Sequence, residues 1–271
     1  MTTTIPARAL VDGEAVPLDE ARLAVTDEGV ARGDGAFETV GVWDGRPFRL
    51  EDHLERLDRS LARMALPSAD RATLRAEVAS LLEDVAGDAA LRCYVTASAT
   101  RIVTLAPQPD RPPARVLVPQ PAPWIAPPEA YSVAGAKTMS YMPNMVATRL
   151  AQRAGGDDAL LVGLDGTVLE GPTFCVMWVA GEVLHAVPVE RGIVDSISRR
   201  TLLELAAELG IPTREAEVPL EGLADAGEVM ICSSVRDCIG IERVGPFRSS
   251  GSTPVRDRLS AALDDARRGR R

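Results

Sequence analysis

Prolines divide this chain. Nine of its 20 prolines fall between Pro107 and Pro128, and the run from Pro119 to Pro128 reads PQPAPWIAPP. Each proline fixes φ and removes a backbone donor, so this run cannot form a helix or a central strand. It predicts an extended linker over residues 119–130, joining an N-terminal domain of residues 1–118 to a C-terminal domain of residues 131–271. A length of 271 residues accommodates two such domains. No internal repeat is evident.

Local patterning places secondary structure on both sides of the linker. Arg32-Gly33-Asp34-Gly35 reads as a turn before a strand over Ala36–Trp43, and Asp44-Gly45 as a hairpin turn. Leu50, Leu54, Leu57, Leu61 and Met64 recur at steps of three and four, which predicts a helix over residues 50–65 that Pro67 ends. A second helix is expected over residues 69–85, then strands over 91–97, 102–106 and 115–118. Beyond the linker the pattern predicts a strand near Tyr131–Ala134 and a helix from Pro143 to about Ala154. An antiparallel meander follows over 160–163, 167–169 and 174–179, then a helix from Ser196 to Gly210. Strands near 228–232 and 239–244 and a last helix from Pro254 complete the C-terminal part. Helices and sheet segregated in sequence predict an α+β fold.

Charge and composition exclude several functions. A formal charge of −9 argues against a nucleic-acid-binding surface. No apolar stretch reaches the ~18 residues of a membrane span, and Met1–Pro6 lacks a signal-peptide pattern, so a cytoplasmic protein is expected. Cys93, Cys175, Cys232 and Cys238 fit neither a metal knuckle nor a dense disulfide framework. With His53 and His185 the only imidazoles, no multi-histidine metal site is expected.

The basic residues are more telling. Of 30, 29 are arginine and one, Lys137, is lysine. A guanidinium cannot act as a nucleophilic amine, whereas a lysine amine can form an imine with an aldehyde. Lys137 is therefore either a chance remnant of an arginine-favouring genome or a residue kept for amine chemistry. An aldehyde cofactor bearing a pyridine ring and a phosphate needs three further devices, the simplest being something to hold the ring. One is a carboxylate opposite the ring nitrogen, and Glu170 before Gly171-Pro172 is either that group or a solvated turn residue. Another is an anion site, for which Ser196-Ile197-Ser198-Arg199 opens a helix, although a serine there is also an ordinary N-cap. Ser233-Ser234 follows a strand and offers further hydroxyls. Arg56 supplies a positive charge, or is simply an exposed helix arginine.

Taken together these segments resemble the class IV aminotransferase family, the pyridoxal-phosphate enzymes of fold type IV. That family includes branched-chain and D-amino-acid aminotransferases and aminodeoxychorismate lyase. The matching segments are RGDGAFETV (32–40), WDGRPFRLEDHLERL (43–57), AKTMSYMPNMVATRLA (136–151), DDALLVGLDGTVLEGPT (157–173), GIVDSISRRTLLELAAELGI (192–211) and EVMICSSV (228–235). They occur in the family's order and span most of the chain. The resemblance implies an α+β fold of two α/β domains with the cofactor, pyridoxal 5′-phosphate, at their interface, and a homodimer. It implies that Lys137 is the Schiff-base lysine and Glu170 the partner of the pyridine nitrogen. It also implies that Arg56, Ile197, Ser198 and Ser234 form the phosphate site, and that Tyr141 bonds the cofactor's phenolic oxygen.

On the substrate the resemblance is mixed. The arginine that many D-amino-acid aminotransferases and lyases carry after the third main strand is replaced by Val95-Thr96-Ala97-Ser98, and Arg101 could substitute only with a rearranged loop. Arg92 resembles an arginine near the carboxylate side of branched-chain enzymes, and Phe37 their apolar wall. Arg32, in contrast, stands where those enzymes have tyrosine, in an RGDG segment common among the lyases. The expected activity is transfer of an amino group between an apolar, branched-chain-like amino acid and a 2-oxo acid. Release of pyruvate and 4-aminobenzoate from 4-amino-4-deoxychorismate is the alternative, and an amine transaminase a third reading. Pro172 departs from the usual small polar run after the glutamate and removes one backbone donor.

Overall fold

The computed structural model describes residues 5, 7–110, 114–122, 133–249 and 252–270. Within it the chain forms two units, Met1–Asp110 with Ala136–Tyr141, and Arg111–Gly135 with Met142–Arg271.

The first unit contains β1 (Arg8–Val11), β2 (Glu14–Pro17), a one-turn α1 (Glu28–Ala31), β3 (Gly35–Trp43), β4 (Arg46–Pro47), α2 (Leu50–Arg63), α3 (Arg71–Leu82), β5 (Ala89–Thr96) and β6 (Arg101–Pro107). Among the described residues the strands form one six-stranded sheet in the order β2-β1-β6-β5-β3-β4, antiparallel throughout. Alternation along the strands decides the faces. Ala36, Val40, Val42, Leu91, Cys93, Val103 and Leu105 point to one side. There they pack with Leu54, Leu57 and Leu61 of α2 and Leu74, Val78 and Leu81 of α3. Phe37, Thr39, Arg92 and Tyr94 are out of phase with that set and occupy the opposite face, where register pairs Phe37 with Tyr94 and Thr39 with Arg92.

The second unit contains β7 (Val116–Pro121), α4 (Met142–Arg153), β8 (Asp158–Val162), β9 (Cys175–Ala180), β10 (Val183–Ala186), α5 (Ile197–Glu208), β11 (Thr213–Glu215), β12 (Glu228–Ser233), β13 (Arg236–Ile241), β14 (Arg243–Val244), β15 (Phe247–Arg248) and α6 (Pro254–Arg267). Its described strands form a sheet of order β11-β10-β9-β12-β13 and another of order β15-β14-β7-β8. One core joins the two sheets through Leu117, Leu160, Phe174, Trp178 and Ile231, and a second packs α5 and α6 on β9, β12 and β13. Helices and mixed sheets together make an α+β fold.

Several sequence expectations are corrected. The division falls after Asp110 rather than residue 118, and residues 136–141 rejoin the first unit because their backbone pairs with β3. The Phe37 N–H donates to the Lys137 carbonyl at 3.0 Å and the Met139 N–H to the Gly35 carbonyl at 2.7 Å. Pro119 and Pro121 lie in a strand, flanked by β14 and β8, and not in a linker; residues 123–130 fall outside the described ones. The reason is phase. The Val116 carbonyl accepts from Asp157 on the β8 side and the Leu117 carbonyl from Gly245 on the β14 side, so odd-numbered residues face β14. β14 ends at Val244, opposite Leu117, and the prolines' missing donors fall beyond it. The expected meander over 160–179 is also split, since β8 runs parallel to β7 in one sheet while β9 belongs to the other. Of the strand expected near Tyr131–Ala134, residues 131 and 132 fall outside the described ones, and Val133–Gly135 form a turn.

Candidate active site

Lys137 is held by its backbone before its side chain does anything. Its carbonyl is bound by Phe37, as above, and its N–H donates to the Ser60 hydroxyl of α2 at 3.0 Å. The side chain is half-buried, with Nζ 3.3 Å from the Tyr141 hydroxyl and 4.3 Å from the centre of the Phe37 ring. Within this unit, and among the described residues, the amine's neighbours are thus a hydroxyl and two aromatic rings rather than a carboxylate. An amine so placed is not committed to a salt bridge. Tyr141 stands edge-on to Phe37 with centroids 5.2 Å apart, and Tyr94 stacks on Phe37 at 5.8 Å. Tyr94 also hydrogen-bonds Arg92; burial raises its phenol pKa and the guanidinium works against that shift. Sequence reading singled out Phe37, Arg92 and Tyr141 but missed Tyr94, whose period-two spacing from Arg92 places both on the Phe37 face.

Arg56 is not an exposed helix arginine. It is buried, and its Nε and Nη2 donate to Glu38 Oε1 and Oε2 at 2.7 and 2.6 Å. His53 Nδ1 lies 2.7 Å from Glu38 Oε2, and an ionised carboxylate only accepts, so this nitrogen carries the proton. Burial alone would push the Glu38 pKa up, but the Arg56 charge and the bonds from Arg56 and His53 outweigh it and lower the value to about 2. The His53 pKa is lowered, first by burial and further by Arg56 and Lys137, against the opposing pull of Glu38. Glu38 and His53 were not singled out from sequence. The available signal was a carboxylate at an inward-facing position of an alternating strand, matched by the polar stripe His53, Arg56, Ser60 beside the leucines of α2.

The two remaining arginine candidates turn elsewhere. Arg32 is exposed and pairs with Glu28 of α1. Arg101 lies on the helix-facing side of β6, where it bonds Glu77 of α3 at 2.7–2.8 Å, so it does not share the Phe37 face.

In the second unit, Glu170 is buried at the end of an extended segment after β8, and its Oε1 accepts the Val194 N–H at 3.1 Å. The turn beyond it is tight. A Cβ on Gly171 would lie 1.9 Å from the Phe174 ring, and the Asn144 amide of α4 donates to the Pro172 carbonyl at 3.1 Å. Val194 precedes the start of α5 by three residues, so the Glu170 carboxylate tethers the segment leading into that helix. Ser196 caps α5, accepting the Arg199 N–H at 3.3 Å, while Ile197 and Ser198 fill its first turn and are buried. The first N–H groups of a helix have no acceptor within it. The Ser198 hydroxyl hydrogen-bonds the Cys232 thiol, which brings the end of β12 beside this helix start. Ser233 Oγ is buried and has no hydrogen-bond partner among the described residues, and Ser234 follows it in the turn to β13.

Within the second unit, a buried helix start with an adjacent orphaned hydroxyl has the chemistry to take an anion such as a phosphate; within the first, the amine of Lys137 has the chemistry to take an aldehyde. All four cysteines are free and buried. No helix among the described residues is long and apolar enough to cross a membrane.

Comparison with known proteins bears on this arrangement. The family model described as amino-transferase class IV matches residues 35–244. A bifunctional aminodeoxychorismate lyase / D-amino acid transaminase of Mycobacterium tuberculosis is 30% identical over 292 aligned residues, covering 94% of this chain and 97% of that protein. Among solved structures, a fold IV transaminase of Curtobacterium pusillum is 29% identical with a TM-score of 0.87, covering 95% of this chain and 99% of that one. The PLP-bound form of a hypothetical aminotransferase from Mycobacterium tuberculosis is 26% identical with a TM-score of 0.86, covering 98% of this chain and all of the other.

Proposed function

The chain belongs to the class IV aminotransferases, of fold type IV, and from that premise we propose that it uses pyridoxal 5′-phosphate to move an amino group between an apolar, branched-chain-like amino acid and a 2-oxo acid. The observation that carries this reading is the sole lysine of the chain, held at both backbone groups, with its amine against Phe37 and the Tyr141 hydroxyl. The cofactor supplies an aldehyde for the amine and a ring that accepts electrons released at the substrate's Cα.

Each residue then has a role that its surroundings support. Lys137 would hold the aldehyde through its amine, and that amine would serve as the general base and acid toward the substrate's Cα proton. The Tyr141 hydroxyl bonds the oxygen beside that aldehyde. Glu170 keeps a proton on the ring nitrogen. Ile197 and Ser198 at the start of α5, with Ser234 and the orphaned Ser233 hydroxyl, receive the phosphate. Arg56 adds a positive charge whose direction Glu38 fixes.

Phe37 and Tyr94 give the substrate side chain an apolar wall in the first unit, and Arg92, bonded to Tyr94, offers a carboxylate contact. Arg32 stays in the reading only as a residue that would first leave Glu28. The chain acts as a homodimer in the cytoplasm in this reading, with no nucleic-acid or membrane partner.

A lyase reading is favoured by one observation, the bifunctional name of the relative that is 30% identical. The two are separated by assay. Transfer from leucine to 2-oxoglutarate, with the cofactor cycling to its amine form, supports the aminotransferase. Pyruvate and 4-aminobenzoate released from aminodeoxychorismate without any 2-oxo acid acceptor supports the lyase.

A further inference from the structure

We infer that Ser60 is a positioning residue that fixes the Lys137 peptide on the same helix that carries Arg56; the inference rests on Lys137 bearing the reactive amine. Backbone N–H groups in and beside a sheet normally bond to backbone carbonyls. The Lys137 N–H instead uses a side-chain hydroxyl 77 residues away in sequence, at 3.0 Å, and that serine is 1% exposed. A buried hydroxyl spent on one backbone donor of the amine-bearing residue is a specific arrangement.

The contacts close into a frame. Lys137 N–H binds Ser60 of α2, and Ser60 lies one helical turn beyond Arg56 on the same face. Arg56 clamps Glu38 of β3 through two hydrogen bonds. Phe37, next to Glu38, returns the connection by donating its N–H to the Lys137 carbonyl. Helix, strand and lysine segment are thus mutually located, and the root of the amine is set relative to Arg56 by two hydrogen bonds and one ion pair. Removing the Ser60 oxygen leaves this half-buried N–H without its partner. The lysine segment then either shifts or opens, while the leucine core of α2 is untouched.

The test compares wild type with Ser60→Ala, Ser60→Cys (similar in size, a poor acceptor) and Ser60→Thr, which keeps the hydroxyl. In cofactor-free protein, amide exchange at Lys137 should rise about tenfold in the alanine variant, the size of one lost hydrogen bond of ~1.4 kcal/mol. With pyridoxal 5′-phosphate added, the pH midpoint of the lysine-bound cofactor's visible band should move in the alanine and cysteine variants and return in the threonine variant. A merely structural serine would lower the melting temperature without moving that midpoint. Unchanged Lys137 exchange and an unmoved midpoint in both Ser60→Ala and Ser60→Cys overturn the inference. A wild-type protein that gives no visible band with the cofactor overturns the reading of Lys137 itself, and this inference with it.

Discussion

Arg56 meets Glu38 in a two-point contact, Nε to Oε1 at 2.7 Å and Nη2 to Oε2 at 2.6 Å, with both side chains out of solvent. Such a pair does not have to add stability over an apolar pair of the same volume, but losing one partner strands the other's charge. Glu38→Ala should therefore cost about 3–5 kcal/mol in urea unfolding. The double variant Glu38→Leu with Arg56→Met should recover much of that loss, yet bind cofactor more weakly than wild type. Equal stability of Glu38→Ala and wild type would show that the pair is not formed in solution.

Acid should act on this unit in two stages. His53 has its pKa lowered from 6.5 in the folded chain, so the unfolded chain takes up a proton first and stability falls as pH drops below about 6.5. Glu38, lowered from 4.5 to about 2, adds a loss that begins below about pH 4.5 and is complete near pH 2. Unfolding free energies measured from pH 8 to pH 3 should show both slopes. The upper one should become shallower in His53→Gln if that variant keeps the bond to Glu38, with His185, also lowered by burial, supplying what remains.

Gly45 sits at φ 75° after Asp44 at φ 49°, and a Cβ there would lie 2.0 Å from the Val85 carbonyl oxygen. Gly45→Ala should destabilise by more than ~1 kcal/mol, since both the turn and the contact with residue 85 resist it. A melting temperature equal to that of wild type would contradict the turn geometry.

The four thiols are buried, and burial pushes Cys175 up to about 12 and Cys93 and Cys238 upward as well. A thiol-specific reagent should therefore react slowly with the native protein and fully with the unfolded one. Rapid stoichiometric labelling of native protein would contradict this packing.

Glu170→Gln keeps the size of the side chain and an acceptor for the Val194 N–H, but removes the charge. The half-reaction with an amino donor should slow far more than cofactor affinity falls. Equal losses in both would mean that Glu170 serves the segment before α5 and not the ring nitrogen.

Much of this was legible in the sequence, and the physical reasons are local. The period of Leu50, Leu54, Leu57 and Leu61 gives α2, the alternation after Gly35 gives β3, and a lone lysine among arginines marks the amine. What escaped depends on contacts distant in sequence. Pro119 and Pro121 read as strand-breaking until the end of β14 shows that no donor is needed there. Glu38, His53 and Ser60 look like unrelated polar residues until a strand and a helix come together. The return of residues 136–141 to the first unit leaves no local signature at all, because it consists of backbone pairing with β3. Arg32 and Arg101 invite a substrate-binding role by sequence position alone, whereas their partners, Glu28 and Glu77, are set by a helix turn and a sheet face.

The most direct measurement is reduction of the protein with borohydride in the presence of pyridoxal 5′-phosphate, followed by peptide mapping. The account predicts one phosphopyridoxyl group per chain, on the peptide containing Lys137, and none on Lys137→Ala. Failure to label Lys137, or equal labelling of the alanine variant elsewhere, would contradict it.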